Sequence, residues 1–579
     1  MSKNGSGTVQ VRFYMELVSF FFSFISLFVG ILFWGSFLTV EWNLVSYGSV
    51  VWCLELMFDG IGLIFLSVVM VITGCVLRFS KFYMVGEINF NRFYCVLGLF
   101  VLSMVALLVI PNLLGLMIGW DGLGVTSYLL VIHYPCSSSL SAGMLTFLTN
   151  RLGDAFLMSC LLLVGVSAGD WFLLFDYEIL GFLMVVGAMT KSAQYPFSVW
   201  LPAAMAAPTP VSSLVHSSTL VTAGVFLLIR CYGSLGDFSL TVLYWSSLLT
   251  LVISGCSACF EFDLKKVVAL STLSHVSIMM FSLSIGLPEL SFFHLMCHAV
   301  SKAMLFMCVG FMLMEGSQDI RRLGWDYSGV FWLKSYFFVS CFSLCGISFF
   351  SGYYSKDLIL EGLIGSFSSV FGFLMFFTGV IFSSLYSIRL MYYGLFSGSL
   401  FGWMGLDAGC FEGKSMCVHS CCFPLFVCSV FLGGAGYMVL ERMPCIIPGD
   451  WLKSLIISIP FTGVFIFFLV ISIGLGAYKS MIEKSYVDIL GRIQLFSFFD
   501  ELGFLDRLSG QTLVKPVFVF GDMCCGYLDQ GWLELIGPSG LGAFSVSYLK
   551  SNSDSKISWF SSSFLWYTIT VIVLGFASV

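Results

Sequence analysis

Charge is scarce in this sequence. Of its 579 residues only 10% are Asp, Glu, Lys or Arg, whereas soluble globular chains carry about a quarter. A soluble fold of this length would need far more polar surface to cover its core, so that class is excluded. The formal net charge of −6 is spread thinly, and no basic stretch suits nucleic acid. Histidine is rarer still, with six in the chain, which leaves little room for haem pairs. His294 and His298 stand four residues apart on one helix face, not on opposite sides of a haem. No dinucleotide fingerprint sits between a strand and a helix, because Gly122-x-Gly124-x-x-Ser127 lies inside an apolar run. A phosphate-binding loop is missing too. No cleavable leader is expected, since Met1 to Arg12 is polar and the apolar run after it is long enough to span.

Apolar residues dominate instead, at 59% of the chain with a mean hydropathy of +0.99. The solvent for most of such a chain is lipid. The 20 cysteines are scattered through apolar runs, where they behave as small apolar residues. Cys256 and Cys259 form a lone CxxC, and Cys417, His419, Cys421 and Cys422 crowd a segment end. Neither group has a partner set at metal-ligand spacing, so no metal site is expected. The excess of Phe, Val, Gly and Cys fits nucleotide bias in a small genome such as a mitochondrial one.

A helical span needs roughly 20 apolar residues. The hydropathy pattern predicts spans at 17–38, 58–79, 94–111, 112–133, 140–167, 172–190, 208–230, 240–260, 266–286, 289–314, 328–350, 368–396, 417–439, 455–478 and 557–578. These runs are too long and too uniformly apolar for barrel strands. The expected fold is therefore an all-α, polytopic bundle of about 15 spans.

Two spans are interrupted. The first breaks at Lys191-Ser192-Ala193-Gln194-Tyr195-Pro196, and Pro208 and Pro210 open the next. The second breaks near Phe350-Ser351-Gly352-Tyr353-Tyr354-Ser355-Lys356, with a short helix after it. Irregular backbone at membrane depth is tolerated only inside protein or beside water, and transporters place such breaks at ion sites of paired repeats. The spacing suggests N-terminal spans over 1–93 and two five-helix halves over 94–230 and 231–396, then further spans over 397–479. Segment 480–556 is too polar to span and reads as an amphipathic strap. Within it Gly491, Gly503, Gly510, Pro516 and Gly521 argue for bends, and 557–579 anchors its end.

A charge at the bilayer centre costs at least about 3 kcal/mol, so each one calls for a partner or a function. Asp121 lies in Gly119-Trp120-Asp121-Gly122-Leu123-Gly124. Arg151 and Asp154 lie one turn apart and can pair. Lys191 sits at the first break, and His216 lies in the following span. His294, His298 and Lys302 step by four and share one helix face. Lys356 and Asp357 sit at the second break. Asp263, Lys265 and Lys266 stand where span 266–286 begins, and an end position there is equally compatible with structural ion pairing. The chemistry these groups suit is proton relay. Burial disfavours a lysine's charge and a nearby carboxylate restores it, so Asp121 is the expected partner of Lys191. A thousandfold change in proton affinity is roughly 4 kcal/mol. Moving one charge across ~180 mV costs a similar amount. Histidines titrate near neutrality and can pass protons between such stations.

Several of these stretches resemble the NADH dehydrogenase subunit 5 family of respiratory complex I. They are Leu201 through Ser212 (LPAAMAAPTPVS), His216 through Gly224 (HSSTLVTAG), Asn150 to Asp154, Lys191 to Gln194 and Asp263 to Lys266. His294 to Phe306, Gln318 to Arg321, Gly352 to Asp357 and Asp529 to Trp532 fit as well. Apart from Asp529 to Trp532 near the end, the matches cover about 110–360, although single motifs are shared with multisubunit (Mrp-type) cation/proton antiporters. The resemblance implies two inverted five-helix repeats with discontinuous helices, a lateral helix, and a proton path through Asp121, Asp154, Lys191, His216, His294, His298, Lys302 and Lys356. It implies a mitochondrial inner-membrane subunit whose partners are other membrane-arm subunits, antiporter-like ones especially, together with phospholipid and protons. No cofactor is expected in this chain; FMN, iron–sulfur clusters and ubiquinone would be held elsewhere. The sequence departs from the family in having one span before Asp59-Gly60-Ile61-Gly62, where many relatives have two. It also lacks the usual proline in Gly346-Ile347-Ser348-Phe349-Phe350 and a histidine between Phe306 and Gln318. An Mrp-type antiporter subunit and a non-pumping scaffold are the alternative readings.

Overall fold

The structure, a computed structural model, describes residues 5–47, 50–166, 178–315, 318–320, 331–365, 369–396, 408–439, 450–480, 502–503, 513–534, 538–551, 565–571 and 573. It divides into two units, Met1–Gly503 and Phe504–Val579.

The first unit is a helical bundle. Helix α1 (Gly5–Leu32) is followed by an antiparallel hairpin, β1 (Phe37–Tyr47) and β2 (Val50–Asp59). Then come α2 (Gly60–Tyr83), α3 (Phe90–Val109), α4 (Leu113–Val131), α5 (Ser137–Val166) and α6 (Glu178–Lys191). A short α7 (Trp200–Ala203) leads into α8 (Thr209–Arg230). The second half holds α9 (Asp237–Phe260), α10 (Leu264–Ile285), α11 (Pro288–Glu315), α12 (Phe331–Cys345), α13 (Ser351–Gly365) and α14 (Val370–Met391). Helices α15 (Ala408–Val439) and α16 (Asp450–Ser480) complete the unit.

Among the described residues ten helices are long and apolar enough to cross a membrane. Helix α2, with 24 residues, reaches about 36 Å, more than the hydrocarbon thickness of about 30 Å. The expected span 140–167 is helical as far as Val166 and carries Arg151 and Asp154. Spans 172–190 and 328–350 have described helices of 14 and 15 residues, α6 and α12. Span 455–478 falls within α16, and of 557–578 the residues 565–571 and 573 are described and helical.

The hairpin was not expected. Its strands, rich in Val, Leu, Trp and Phe, pair from Phe37↔Asp59 to Tyr47↔Val50 with an irregularity between Asn43 and Val45. β-branched and aromatic residues favour such a ribbon.

The interior is a packed apolar core running from Phe65 on α2 to Leu425 on α15. Many of the hydroxyls in it are satisfied locally. Thr222 Oγ1 donates to the Ser218 carbonyl at 2.8 Å and Ser277 Oγ to the Ser274 carbonyl at 2.6 Å, within their own helices. Such back-bonding lets hydroxyls enter a water-poor core.

Both breaks are present. The first runs from Ser192 to Val199, between α6 and α7. Pro196 lies in it after a cis peptide bond, Pro208 caps α8, and Pro210 is in that helix's first turn. There a proline removes an amide that has no helical partner anyway. The second break is earlier than expected, spanning Gly346 to Phe350. Gly346 ends α12 with φ +82°, a left-handed conformation that glycine adopts freely. Gly352 and Lys356 belong instead to α13. Gly352 is no helix breaker: a Cβ there would collide with the Ser343 carbonyl of α12, so the residue lets two half-helices meet.

The second unit holds α17 (Leu513–Cys524), continued as a π-helical stretch over Cys525–Leu533, and α18 (Pro538–Ser551). Of the expected bends, Gly503, at the end of the first unit, has φ +74°. Pro516 and Gly521 both lie inside α17 without ending it. Gly491 and Gly510 fall outside the described residues, as do most of the segment before α17 and Arg321 of the Gln318 to Arg321 stretch.

Candidate functional site: a line of buried cations and histidines

The first cluster forms where α4, α5 and α6 meet. Gly153 allows it, because a Cβ there would run into Thr190 of α6. This close approach brings Asp154 on α5 near Lys191, the last residue of α6. Lys191 is fully buried. Its Nζ donates to the Trp120 carbonyl at 2.6 Å and lies 4.4 Å from the centre of the Trp120 ring. The indole face is attractive to a cation.

The expected Lys191–Asp121 pair is not made. Arg151 Nη1 takes both carboxylates, 3.4 Å from Asp121 Oδ2 and 3.0 Å from Asp154 Oδ2. Asp121 is 45% exposed and Asp154 11%. The reason is helical phase: on α4 it is the Trp120 carbonyl and ring that face the lysine, which turns Asp121 outward toward Arg151.

The break beyond Lys191 is held by side chains that the sequence reading passed over. Gln194 Nε2 donates to the Ser192 carbonyl at 3.2 Å, and its Oε1 accepts from Thr250 Oγ1 of α9 at 2.6 Å. Trp200 Nε1 donates to the Thr190 carbonyl at 2.9 Å. His216 lies in a π-helical stretch, Ser212–Thr219, that packs against α11. Its ring is buried 6.3 Å from the Trp200 ring, and neither ring nitrogen has a protein partner. Such π-turns occur frequently at functional sites.

The second cluster lies between α10, α11 and α13. His294, His298 and Lys302 project from α11 toward α10, as their spacing predicts. Lys302 Nζ donates to Ser271 Oγ of α10 at 2.5 Å. His294 Nδ1 meets Ser355 Oγ of α13 at 2.9 Å. On the other side His294 Nε2 is 3.2 Å from Nδ1 of His275 on α10, a histidine the sequence reading did not select. Beside Ser355, Lys356 Nζ donates to the Leu344 carbonyl at 2.7 Å and to Ser383 Oγ of α14 at 3.0 Å. The Leu344 carbonyl belongs to the last turn of α12, where unpaired carbonyls and the helix dipole favour a cation. Asp357 is half-buried on α13, four residues before Glu361.

Asp263, Lys265 and Lys266 form a clamp away from both clusters. Asp263 caps α10 and bridges to Asp319, while Lys265 Nζ donates to the Ala207 carbonyl at 3.2 Å. Lys266 lies 3.5 Å from Asp263 and 3.8 Å from Glu261. A similar tie joins Arg230 at the end of α8 to Asp59 at 2.9 Å and to the Leu108 carbonyl at 2.7 Å. Among the described residues no three His, Cys, Asp or Glu side chains gather at metal-binding distance.

Interrupted helices carrying buried lysines and histidines define an antiporter-type membrane domain. Residues 111–383 match a family described as NADH:quinone oxidoreductase/Mrp antiporter, TM. Residues 42–94 match the NADH-Ubiquinone oxidoreductase (complex I), chain 5 N-terminus, and 386–577 the NADH dehydrogenase subunit 5 C-terminus. NADH-ubiquinone oxidoreductase chain 5 of Mytilus edulis is 42% identical over 514 residues, 85% of this chain and 87% of that one. Its counterpart in Locusta migratoria is 37% identical over 556 residues, 92% of this chain and 94% of the relative. The chain belongs to the NADH-ubiquinone oxidoreductase chain 5 family. Among solved structures, the Mrp complex from Dietzia sp. matches with a TM-score of 0.64 at 19% identity, over 88% of this chain and 61% of that chain. A membrane-bound sulfane sulfur reductase, an archaeal respiratory membrane complex, gives 0.62 at 16%, over 78% and 93%. These two share the fold.

Proposed function

We propose that this chain is the proton-translocating chain 5 of the complex I membrane arm. It couples NADH-to-ubiquinone electron transfer to proton movement. The observation that carries this is the placement of Lys191, Lys302 and Lys356, all buried, beside carbonyls, hydroxyls and imidazoles rather than in closed ion pairs. Buried charges that serve only structure are ordinarily paired. A lysine held by a carbonyl can release its proton, and a carboxylate drawn closer makes it hold on.

In this reading Lys191 is loaded and unloaded as Asp154, Asp121 and Arg151 rearrange. His216, His294, His298 and Lys302 pass protons onward, and Lys356 serves the second half. The two five-helix halves, 94–230 and 231–396, each supply one broken helix. Redox chemistry, with its FMN, iron–sulfur clusters and ubiquinone, belongs to other subunits. The setting is the mitochondrial inner membrane, against other membrane-arm subunits and phospholipid.

The test is purification in mild detergent followed by reconstitution into vesicles. A large particle with flavin and NADH:quinone activity that pumps, and whose Lys191→Ala variant assembles but moves fewer protons per NADH, fits the proposal. A small particle without redox cofactors that exchanges cations for protons sinks it in favour of an Mrp-type antiporter. Unchanged pumping in the variant sinks it in favour of a scaffold.

A further inference from the structure

Three histidines meet at the centre of the second cluster. His275 Nδ1 lies 3.2 Å from His294 Nε2, and the two rings stack at 5.4 Å and 24°. The His275 ring is also 5.3 Å from that of His298, closer than His294 is at 6.4 Å. All three are buried. Without His275, His298 and His294 would face each other across the widest of these gaps. Lys302 reaches the same helix face as His275, through Ser271 one turn earlier on α10.

From this geometry we infer that His275 is a positioning residue of the relay. It joins the Lys302–His298 end of the path to the His294–Ser355–Lys356 end by holding His294 in one ring orientation. The inference rests on the proton-relay reading of the site.

The hydrogen-bond arithmetic supports it. A neutral imidazole offers one donor and one acceptor. His294 uses both ring nitrogens, Nε2 toward His275 and Nδ1 toward Ser355. When His275 Nδ1 donates, His294 Nε2 accepts and its Nδ1–H points at Ser355 Oγ, the hydroxyl next to Lys356. When His275 accepts, the polarity of the whole line reverses. The neighbour thus sets which way His294 can hand on a proton, as a partner on one ring nitrogen sets the role of the other. His275 Nε2 and both nitrogens of His298 have no protein partner.

The experiment compares His275→Gln and His275→Leu in the assembled complex, with His298→Ala as control, by protons translocated per NADH oxidised in vesicles. Glutamine can keep the hydrogen bond to His294 without carrying a proton, and leucine cannot make it. The expected result is that His275→Gln retains the wild-type ratio while His275→Leu loses what the His298→Ala control loses. A retained ratio in assembled His275→Leu overturns the inference. So does a loss in His275→Gln, which needs no leucine variant to assemble. If His298→Ala also pumps normally, the relay reading fails as a whole, an outcome distinct from failure at His275 alone.

Discussion

The Lys191 ammonium is bound to the backbone of Trp120, one residue short of the carboxylate expected to hold it. Its Nζ lies 2.6 Å from the Trp120 carbonyl, while Asp121 reaches Arg151. A carbonyl stabilises the ammonium less than a carboxylate does, so the lysine is poised to change state. Lys191→Ala is expected to assemble and to lower the proton yield per NADH. Lys191→Arg is expected to fail as well, because guanidinium keeps its proton under all working conditions. Vesicle acidification with an unchanged NADH oxidation signal from an artificial acceptor checks both.

Arg151 holds two carboxylates at once, Asp121 and Asp154. Substitution to glutamine frees both to lean toward Lys191. The expected outcome is a lysine that holds its proton more firmly and a slower proton current. The loss in stability is modest, about 1 kcal/mol or less, since Arg151 is partly exposed. Measuring the membrane potential against turnover separates the two effects.

Ser355 Oγ is the contact between His294 and the helix that carries Lys356. Ser355→Ala is expected to weaken pumping, with Ser355→Thr restoring it, since only the hydroxyl is needed. Equal pumping in the alanine variant would rule out a path through this serine.

Close packing at Gly153 sets the distance from α5 to Lys191. Gly153→Val must push α5 off Thr190, an overpacking cost of about 1–3 kcal/mol. A lower melting temperature of the complex, or less of it on native gels, is the expected reading.

Much of this arrangement was legible in the sequence. Spans follow from long apolar runs, and Lys191, Lys302 and Lys356 stand out because charge in lipid is costly. Prolines marked the first break, and the four-residue step of His294, His298 and Lys302 gave a shared face. His275 was passed over because it stands alone on α10, with no titratable neighbour at helical spacing. Its importance comes from α11 lying beside it, which no local pattern encodes. The Lys191 partner was misjudged by one residue, since side-chain direction on α4 depends on how that helix is rotated against α6. The second break was placed too late because Gly352 reads as a breaker, whereas its role is to clear the Ser343 carbonyl. Strands β1 and β2 were missed because Glu41, Asn43 and Glu55 interrupt the apolar run that a hydropathy reading looks for.

The π-helical stretch in α8 sets the angular phase between the helix's two ends. Leu220 N bonds back five residues to the Val215 carbonyl, so the turn holds one residue more than an α-helical ladder would. Downstream, Arg230 meets Asp59 at 2.9 Å. Removing one residue from Ser212–Thr219 would let the ladder close as α-helix but rotate everything after it by about 100°. Either His216 would leave the Trp200 side or Arg230 would swing away from Asp59. The extra residue acts as a gear tooth, and the length of this stretch is as constrained as the identity of its histidine.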